Sequence, residues 1–205
     1  MTDAEWDRSQ IPHLLAEALG RDSTSRKRRL CLCAYSRLLL PRNSEEAVGV
    51  IGVADQFADQ VATLDQLKEA NALARDQARR RTNHLGYTLL NRTTLQEVSS
   101  ANMNSAVHLI YRLSGLSELQ LSDVIRDIFG NPFRPAIFSP EWRTDTAVTL
   151  ARTMYDSREF GAMPILADAL QDAGCDNADV LNHCRDANQV HVRGCWVVDG
   201  VLGKA

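Results

Sequence analysis

Thiol and imidazole side chains cluster near the end of the chain, at Cys175, His183, Cys184, His191 and Cys195. These groups are the usual ligands of structural zinc, which four of them hold in a tetrahedron. Only His191 and Cys195 have the short spacing of a local ligand pair. The alternative is that the cysteines fill the core, because free cysteine is among the most buried residue types. We therefore predict no cofactor and keep Cys175, Cys184, His191 and Cys195 as candidate ligands of a structural zinc ion.

Acid–base chemistry has one candidate pair, Asp168 and Asp172, which share a face of a predicted helix and could hold a cation. The preferred alternative is a solvated face, or pairing with Arg185 or Arg193, because Asp172 lies in the last helical turn, where the helix dipole disfavours a carboxylate. The sequence contains neither the G-x-S-x-G elbow of hydrolases nor the glycine-rich signatures of nucleotide sites. The pattern predicts that the protein is not an enzyme.

An extended segment, N-P-F-R-P, occupies positions 131–135. Its two prolines remove backbone donors and exclude a helix there. Phe133 and Arg134 are candidate partner-binding residues, because aromatic and arginine side chains dominate protein interfaces. The alternative is that Phe133 fills the core and the segment ties two subdomains together.

Basic side chains form two runs, Arg26, Lys27, Arg28 and Arg29 in the first and Arg75, Arg79, Arg80 and Arg81 in the second. Runs of this kind suit contacts with nucleic-acid phosphates. The net charge of −3, however, is unlike that of a dedicated nucleic-acid binder. A solvated helix face is the alternative interpretation.

The composition is that of a globular protein, with 205 residues of which 44% are hydrophobic. No run approaches the roughly 18 apolar residues that a membrane span requires. The first ten residues are polar and acidic, unlike a signal peptide, so we expect a cytoplasmic protein. The five cysteines, an odd number, are then expected to be reduced.

Apolar residues recur at intervals of three and four along most of the chain, and strand alternation is short. The pattern predicts an all-α bundle in which consecutive helices pack antiparallel. Helix starts are marked by pairs spaced as capping boxes, namely Thr2/Glu5, Asn43/Glu46, Thr63/Gln66, Thr94/Glu97 and Ser117/Gln120. Residues 82–94 are undecided between a loop and a kink. We predict an N-terminal helical region at 1–126 and a C-terminal helical module at 127–205, which includes an extended strap at 131–140 and forms one continuous globular unit with the first region.

The tail also carries a resemblance, in the phrases DIFGNPFRP, PILADALQDAGC, HCR and HVRGCWVVD. They resemble the C-terminal module of a large, uncharacterised paralogous family in planctomycete bacteria. The ILADALQDAG segment is similar to the core of a short repeat-companion domain that accompanies leucine-rich-repeat and SMI1/KNR4-type proteins. The resemblance implies no catalytic residue and no cofactor.

These observations predict a non-enzymatic helical adaptor or regulatory domain that binds another protein. The alternative is a nucleic-acid-binding accessory protein that uses the two basic runs. The absence of a long apolar run predicts that a membrane is not a partner.

Overall fold

The structure is a computed structural model that describes residues 1–20, 23–40, 44–80 and 84–204. Within these ranges the chain is all-α, as predicted, with helices and no strand. None of the described helices has the length and apolar content needed to cross a bilayer. The helices are α1 (Asp3–Arg8), α2 (Pro12–Ala18), α3 (Ser25–Leu39), α4 (Glu45–Ala58), α5 (Leu64–Arg80), α6 (His84–Thr93), α7 (Ser100–Leu113), α8 (Glu118–Phe129), a 3₁₀ turn (Pro140–Trp142), α9 (Asp145–Ser157), α10 (Met163–Asp172), α11 (Ala178–Arg185) and α12 (Trp196–Leu202).

Three predicted capping boxes are confirmed by reciprocal hydrogen bonds between side chain and backbone, at Thr2/Glu5, Thr63/Gln66 and Ser117/Gln120. In each pair the hydroxyl of the first residue accepts a hydrogen bond from the backbone N–H of the second residue. The side chain of the second residue accepts a hydrogen bond from the backbone N–H of the first. Asn43, the predicted cap of α4, lies outside the described residues. The side chain of Ser44 accepts a hydrogen bond from the N–H of Ala47 at the start of that helix.

The predicted box at Thr94 and Glu97 is wrong. The Thr94 hydroxyl donates to the Leu90 carbonyl in the last turn of α6, so it is used to finish one helix rather than to start the next. Helix α7 begins later, with a capping box formed by Ser99 and Asn102. The undecided stretch before Thr94 is helical in its described part, from His84 to Thr93.

The described chain divides into two compact units, and the first comprises Met1 and Arg8–Ile125. In this unit α3 packs against α4 and α6, α5 packs against α4 and α6, and α2 packs against α7. The side chains of Ala70 and Ala74 on α5 are buried, and their small size allows the helices to approach closely. The buried cluster around them is Cys33, Leu40, Ala47, Val50, Ile51, Ala54, Ala70, Ala74, Tyr87 and Leu90.

The second unit comprises Thr2–Asp7 and the chain from Arg126 onward. Helix α9 packs against α10 and α12, and α10 packs against α11. Its core contains aliphatic side chains, small residues and three thiols, and consists of Ala147, Ala151, Met154, Tyr155, Met163, Leu166, Ala167, Leu170, Cys175, Val180, Leu181, Cys184, Cys195, Val197, Val198 and Val201.

The N-terminal helix α1 belongs to the second unit, although the sequence grouped residues 1–126 together. Its Trp6 is only 1% exposed, and the indole meets the Phe133 ring edge-on with 6.4 Å between the ring centroids. Arg126 donates a hydrogen bond to the Trp6 carbonyl. A single tryptophan near a chain end gives no local signal of where it docks, which is why the sequence assigned α1 to its neighbours in the chain.

The segment after α8 is fixed by charges on α1 and α11. The Asn131 amide donates to the carboxylates of Asp3 and Asp7, at 2.8 and 3.0 Å. Arg134 lies 3.0 Å from Asp7 and 3.4 Å from both Asp3 and Asp179. Arg134 therefore ties three parts of the second unit together, but Phe133 is 42% exposed and does not fill the core as the structural alternative stated.

The far end of the strap packs on α12 without a gap. The Phe138 ring lies so close to Gly200 that a Cβ there would come within 2.3 Å of it. Arg143 then donates to the Val201 carbonyl at 2.9 Å. A side chain at position 200 would displace the ring, so the missing Cβ is what allows this contact.

Replacing Trp6 with alanine should destabilise the protein by about 3–5 kcal/mol, because a large buried aromatic side chain is lost and a cavity remains. Urea denaturation followed by circular dichroism measures the change. Replacing Ile137, which is 85% exposed in the same unit, with alanine is the matched control and should cost less than about 1 kcal/mol. Equal costs for the two variants would mean that α1 does not stabilise the fold.

Candidate functional site

Four side chains with metal-binding chemistry meet in the second unit, from segments far apart in the sequence. Asp127 lies in the last turn of α8 and His183 on α11. His191 lies in the connection that follows α11, and Cys195 directly precedes α12. Gly194 has a φ of 97° and lies in the turn between His191 and Cys195.

The functional atoms of the four residues are close enough to share one point. Oδ1 of Asp127 lies 2.9 Å from Nδ1 of His191 and 3.2 Å from Nε2 of His183. Sγ of Cys195 lies 3.3 Å from Nε2 of His183 and 4.0 Å from Nδ1 of His191. All four ligand atoms fall within 4.8 Å of one another.

The cluster is closed to solvent. The side chain of Asp127 is fully buried, and those of His183 and His191 are only 10% and 7% exposed. The rings of His183 and His191 meet edge to face, with centroids 4.9 Å apart.

The pKa of Asp127 is lowered although its side chain is buried. Burial by itself raises the pKa of Asp127, but the hydrogen bonds and electrostatic interaction with His183 and His191 outweigh it and lower the pKa below its usual value. The backbone N–H of Val192 donates to the second carboxylate oxygen at 2.8 Å. Both oxygens are therefore engaged by groups from the tail of the chain.

The thiol of Cys195 has an unusual environment for a filler residue. Burial and the charge of Asp127 raise its pKa well above the ordinary value, while the N–H groups of Val198 and Val197 oppose this shift. A thiol with such neighbours keeps its proton unless a cation takes the proton's place.

The sequence found only part of this cluster. His191 and Cys195 were candidate ligands and do come together, and His183 belonged to the wider Cys/His group. Asp127 was missed. The sequence feature that could have identified Asp127 is its position three residues after Val124 and next to Ile128, on the apolar face of α8. A carboxylate on such a face needs hydrogen-bond partners.

The other two candidate ligands, Cys175 and Cys184, lie in the hydrophobic core and not among the four clustered atoms. Burial raises the pKa of Cys184 to about 12, and burial also raises the pKa of Cys175. These two thiols are packing residues, as the alternative interpretation stated.

The exposed carboxylates Asp168 and Asp172 do not form a site with the cluster. Arg185 donates to Asp168 at 2.9 Å and to the Gln171 side chain at 2.6 Å. This is the pairing that the sequence offered as the alternative to acid–base chemistry.

The first basic run is largely internal. Arg28 and Arg29 are buried, and Arg28 donates to the Val98 carbonyl at 2.6 Å. Arg29 donates to the carbonyls of Thr93 and Gln96, and its guanidinium lies 4.9 Å from the centre of the Phe57 ring.

The rest of the basic residues have mixed surroundings. Arg26 pairs with Asp59 at 3.1 Å, and Lys27 is partly buried on α3. Arg79 and Arg80 are exposed, and Arg80 pairs with Asp76 at 2.9 Å. Arg81 lies outside the described residues. Within the described chain, the two arginines at the end of the first run cannot reach a phosphate, because their guanidinium groups are used inside the first unit.

An open apolar groove lies on the first unit between α4, α5 and α6. Its volume is about 370 Å³. The apolar part of the lining consists of Ala47, Gly49, Val50, Val53, Ala70, Leu73, Tyr87 and Leu90. The rim carries the carboxylates and amides of Glu46, Gln66, Glu69 and Gln77. A Cβ at Gly49 would meet no atom within 4 Å, so packing inside the unit does not require this glycine, and its missing side chain widens the groove.

Comparisons with known proteins add no relative: no protein-family model matches the chain, and the searches of curated proteins and of solved structures give no match either.

Replacing Asp127 with alanine should destabilise the protein by about 3–5 kcal/mol, because two imidazoles and the Val192 N–H lose their buried partner. Replacing Asp168, whose side chain is 71% exposed, with alanine should change stability by no more than about 0.5 kcal/mol. Urea denaturation of both variants tests this difference. If the Asp127 variant were as stable as the Asp168 variant, the cluster would not stabilise the tail of the chain.

Replacing Arg29 with alanine should cost about 2–4 kcal/mol, because two buried carbonyls lose their donor. The exposed Arg79, replaced with alanine, serves as the control and should stay within about 0.5 kcal/mol of the parent. Thermal and urea unfolding measure both. If the Arg29 variant were as stable as the Arg79 variant, the buried guanidinium would contribute nothing to the fold.

Proposed function

We propose that the protein is a non-enzymatic helical adaptor, which binds a partner protein in the apolar groove between α4, α5 and α6. The observation that carries the proposal is the contrast between the two sites. The most reactive side chains are sealed inside the second unit, whereas the groove of the first unit exposes apolar surface to solvent. Exposed apolar concavities with polar rims are typical of protein-binding surfaces.

The dimensions and lining of the groove favour a helix as the bound element. An amphipathic helix places apolar side chains at i, i+3 or i+4 and i+7 into such grooves. Leu73, 58% exposed on α5, stands at the wall where these side chains would enter.

The charges of the rim favour a basic partner. Glu46 and Glu69 are exposed at the rim, and none of the described lining residues is basic. A partner helix with Lys or Arg beside its apolar stripe would match these carboxylates, and charge matching mainly sets association rate and specificity.

The similarity of the tail to modules that accompany repeat proteins is compatible with an adaptor role. The nucleic-acid alternative is less well supported, because Arg28 and Arg29 are occupied inside the first unit. It stays a prediction for the second basic run, in which Arg79 and Arg80 are exposed.

Replacing Leu73 with aspartate should weaken binding of the partner at least about tenfold, because a charge is forced against apolar surface at the groove wall. The partner is first identified by crosslinking through a photoreactive residue at position 77, and its affinity is then measured by calorimetry with purified proteins. Its binding segment should be helical with basic residues beside an apolar stripe.

The matched control is Val61→Asp, which places the same charge at an exposed apolar position of the first unit that does not line the groove. It should bind as tightly as the parent. Loss of binding in both variants, or in neither, would rule out the groove as the binding surface.

A further inference from the structure

We infer that Asp127, His183, His191 and Cys195 bind one structural zinc ion. The inference concerns the second unit and does not depend on the adaptor proposal, which rests on the first. It selects a donor set different from the one the sequence suggested, with a carboxylate and a second imidazole in place of Cys175 and Cys184.

The distances fit a tetrahedron around zinc. Zinc bonds of about 2.0–2.3 Å to nitrogen, oxygen and sulfur place neighbouring ligand atoms about 3.3–3.7 Å apart. The four measured separations in the cluster run from 2.9 to 4.0 Å and so bracket that range. All separations among the four ligand atoms lie within 4.8 Å, and the most distant pair must move together the most to complete the tetrahedron.

Each of the two ring nitrogens faces two partner atoms, although it can make only one linear hydrogen bond. Nε2 of His183 faces both the Asp127 oxygen and the Cys195 sulfur, and Nδ1 of His191 faces the same two atoms. Each ring nitrogen has either one hydrogen or one lone pair, directed along a single line in the ring plane. A cation between the four atoms would use one lone pair from each of them at once.

The charges of this donor set balance those of zinc. One thiolate and one carboxylate contribute two negative charges, and the two imidazoles are neutral when they bind metal. With a divalent cation the buried cluster is neutral, which avoids the large cost of an unpaired buried charge. Magnesium and calcium fit poorly, because they prefer six or more oxygen ligands.

The surroundings favour a structural role over a catalytic one. Four protein ligands leave no open position on a tetrahedral ion, whereas catalytic zinc keeps one for water. Val192 holds the second oxygen of Asp127 at 2.8 Å, which directs the first oxygen alone toward the ion. The ion would join the end of α8, helix α11 and the start of α12.

The test uses the full chain, expressed without an affinity tag and purified without chelators. Zinc in the dialysed protein is measured by mass spectrometry, and about one equivalent per chain is expected. Cobalt chloride is then added to the chelator-stripped protein. Visible bands of tetrahedral cobalt together with a sulfur-to-cobalt charge-transfer band are expected.

Variants separate this site from adventitious binding. Cys195→Ser should lose the charge-transfer band and most of the zinc, and Asp127→Asn should also lower the zinc content. Cys184→Ser, a change at a buried thiol outside the cluster, should keep both signals. If Cys195→Ser fails to fold, the cobalt spectrum of the parent protein and the zinc content of Asp127→Asn decide the question.

Two results would overturn the inference. One is less than about half an equivalent of zinc even after titration with zinc chloride. The other is equal zinc in the parent, Cys195→Ser and Asp127→Asn proteins, which would indicate an adventitious ion only.

Discussion

The second unit is organised around the hydrogen bonds of one buried carboxylate, that of Asp127. A charge removed from water must find opposite charge or hydrogen bonds, or it costs several kcal/mol. Here the partners are His191 and the N–H of Val192, 64 and 65 residues further along the chain, together with His183. The last turn of α8 therefore determines where the tail of the protein must lie.

The first unit also contains buried charged groups that need partners, but here the charges are positive. Arg28 and Arg29 are buried on α3, and their guanidinium groups donate to carbonyls of the α6–α7 connection. Carbonyls at helix ends lack partners within their own helix, so buried cations satisfy them. In both units the helices supply hydrogen-bond partners to a buried charged group, and losing those partners would cost several kcal/mol.

The buried polar groups and the exposed apolar groove lie in different places. The reactive side chains of the second unit face one another in a closed cluster, and the basic side chains of α3 are turned inward. What the first unit offers to solvent is an apolar groove with an acidic rim. Under the proposed function the groove would hold the partner protein, and a zinc ion would be a fixed cross-link within the second unit.

The sequence by itself determined the elements that depend on neighbouring residues. Helical periodicity gave the all-α class, and three capping boxes located helix starts. His191 and Cys195 were found as a ligand pair because four residues separate them.

Only the tertiary structure decided which distant residues meet. The sequence did not single out Asp127, grouped Trp6 with residues 1–126, and placed Arg29 in a basic run for phosphate contacts or a solvated face, yet all three side chains are buried. Local spacing determines the face of a helix on which a side chain lies. The partner of that face is set by the packing of the whole unit, which no local pattern contains.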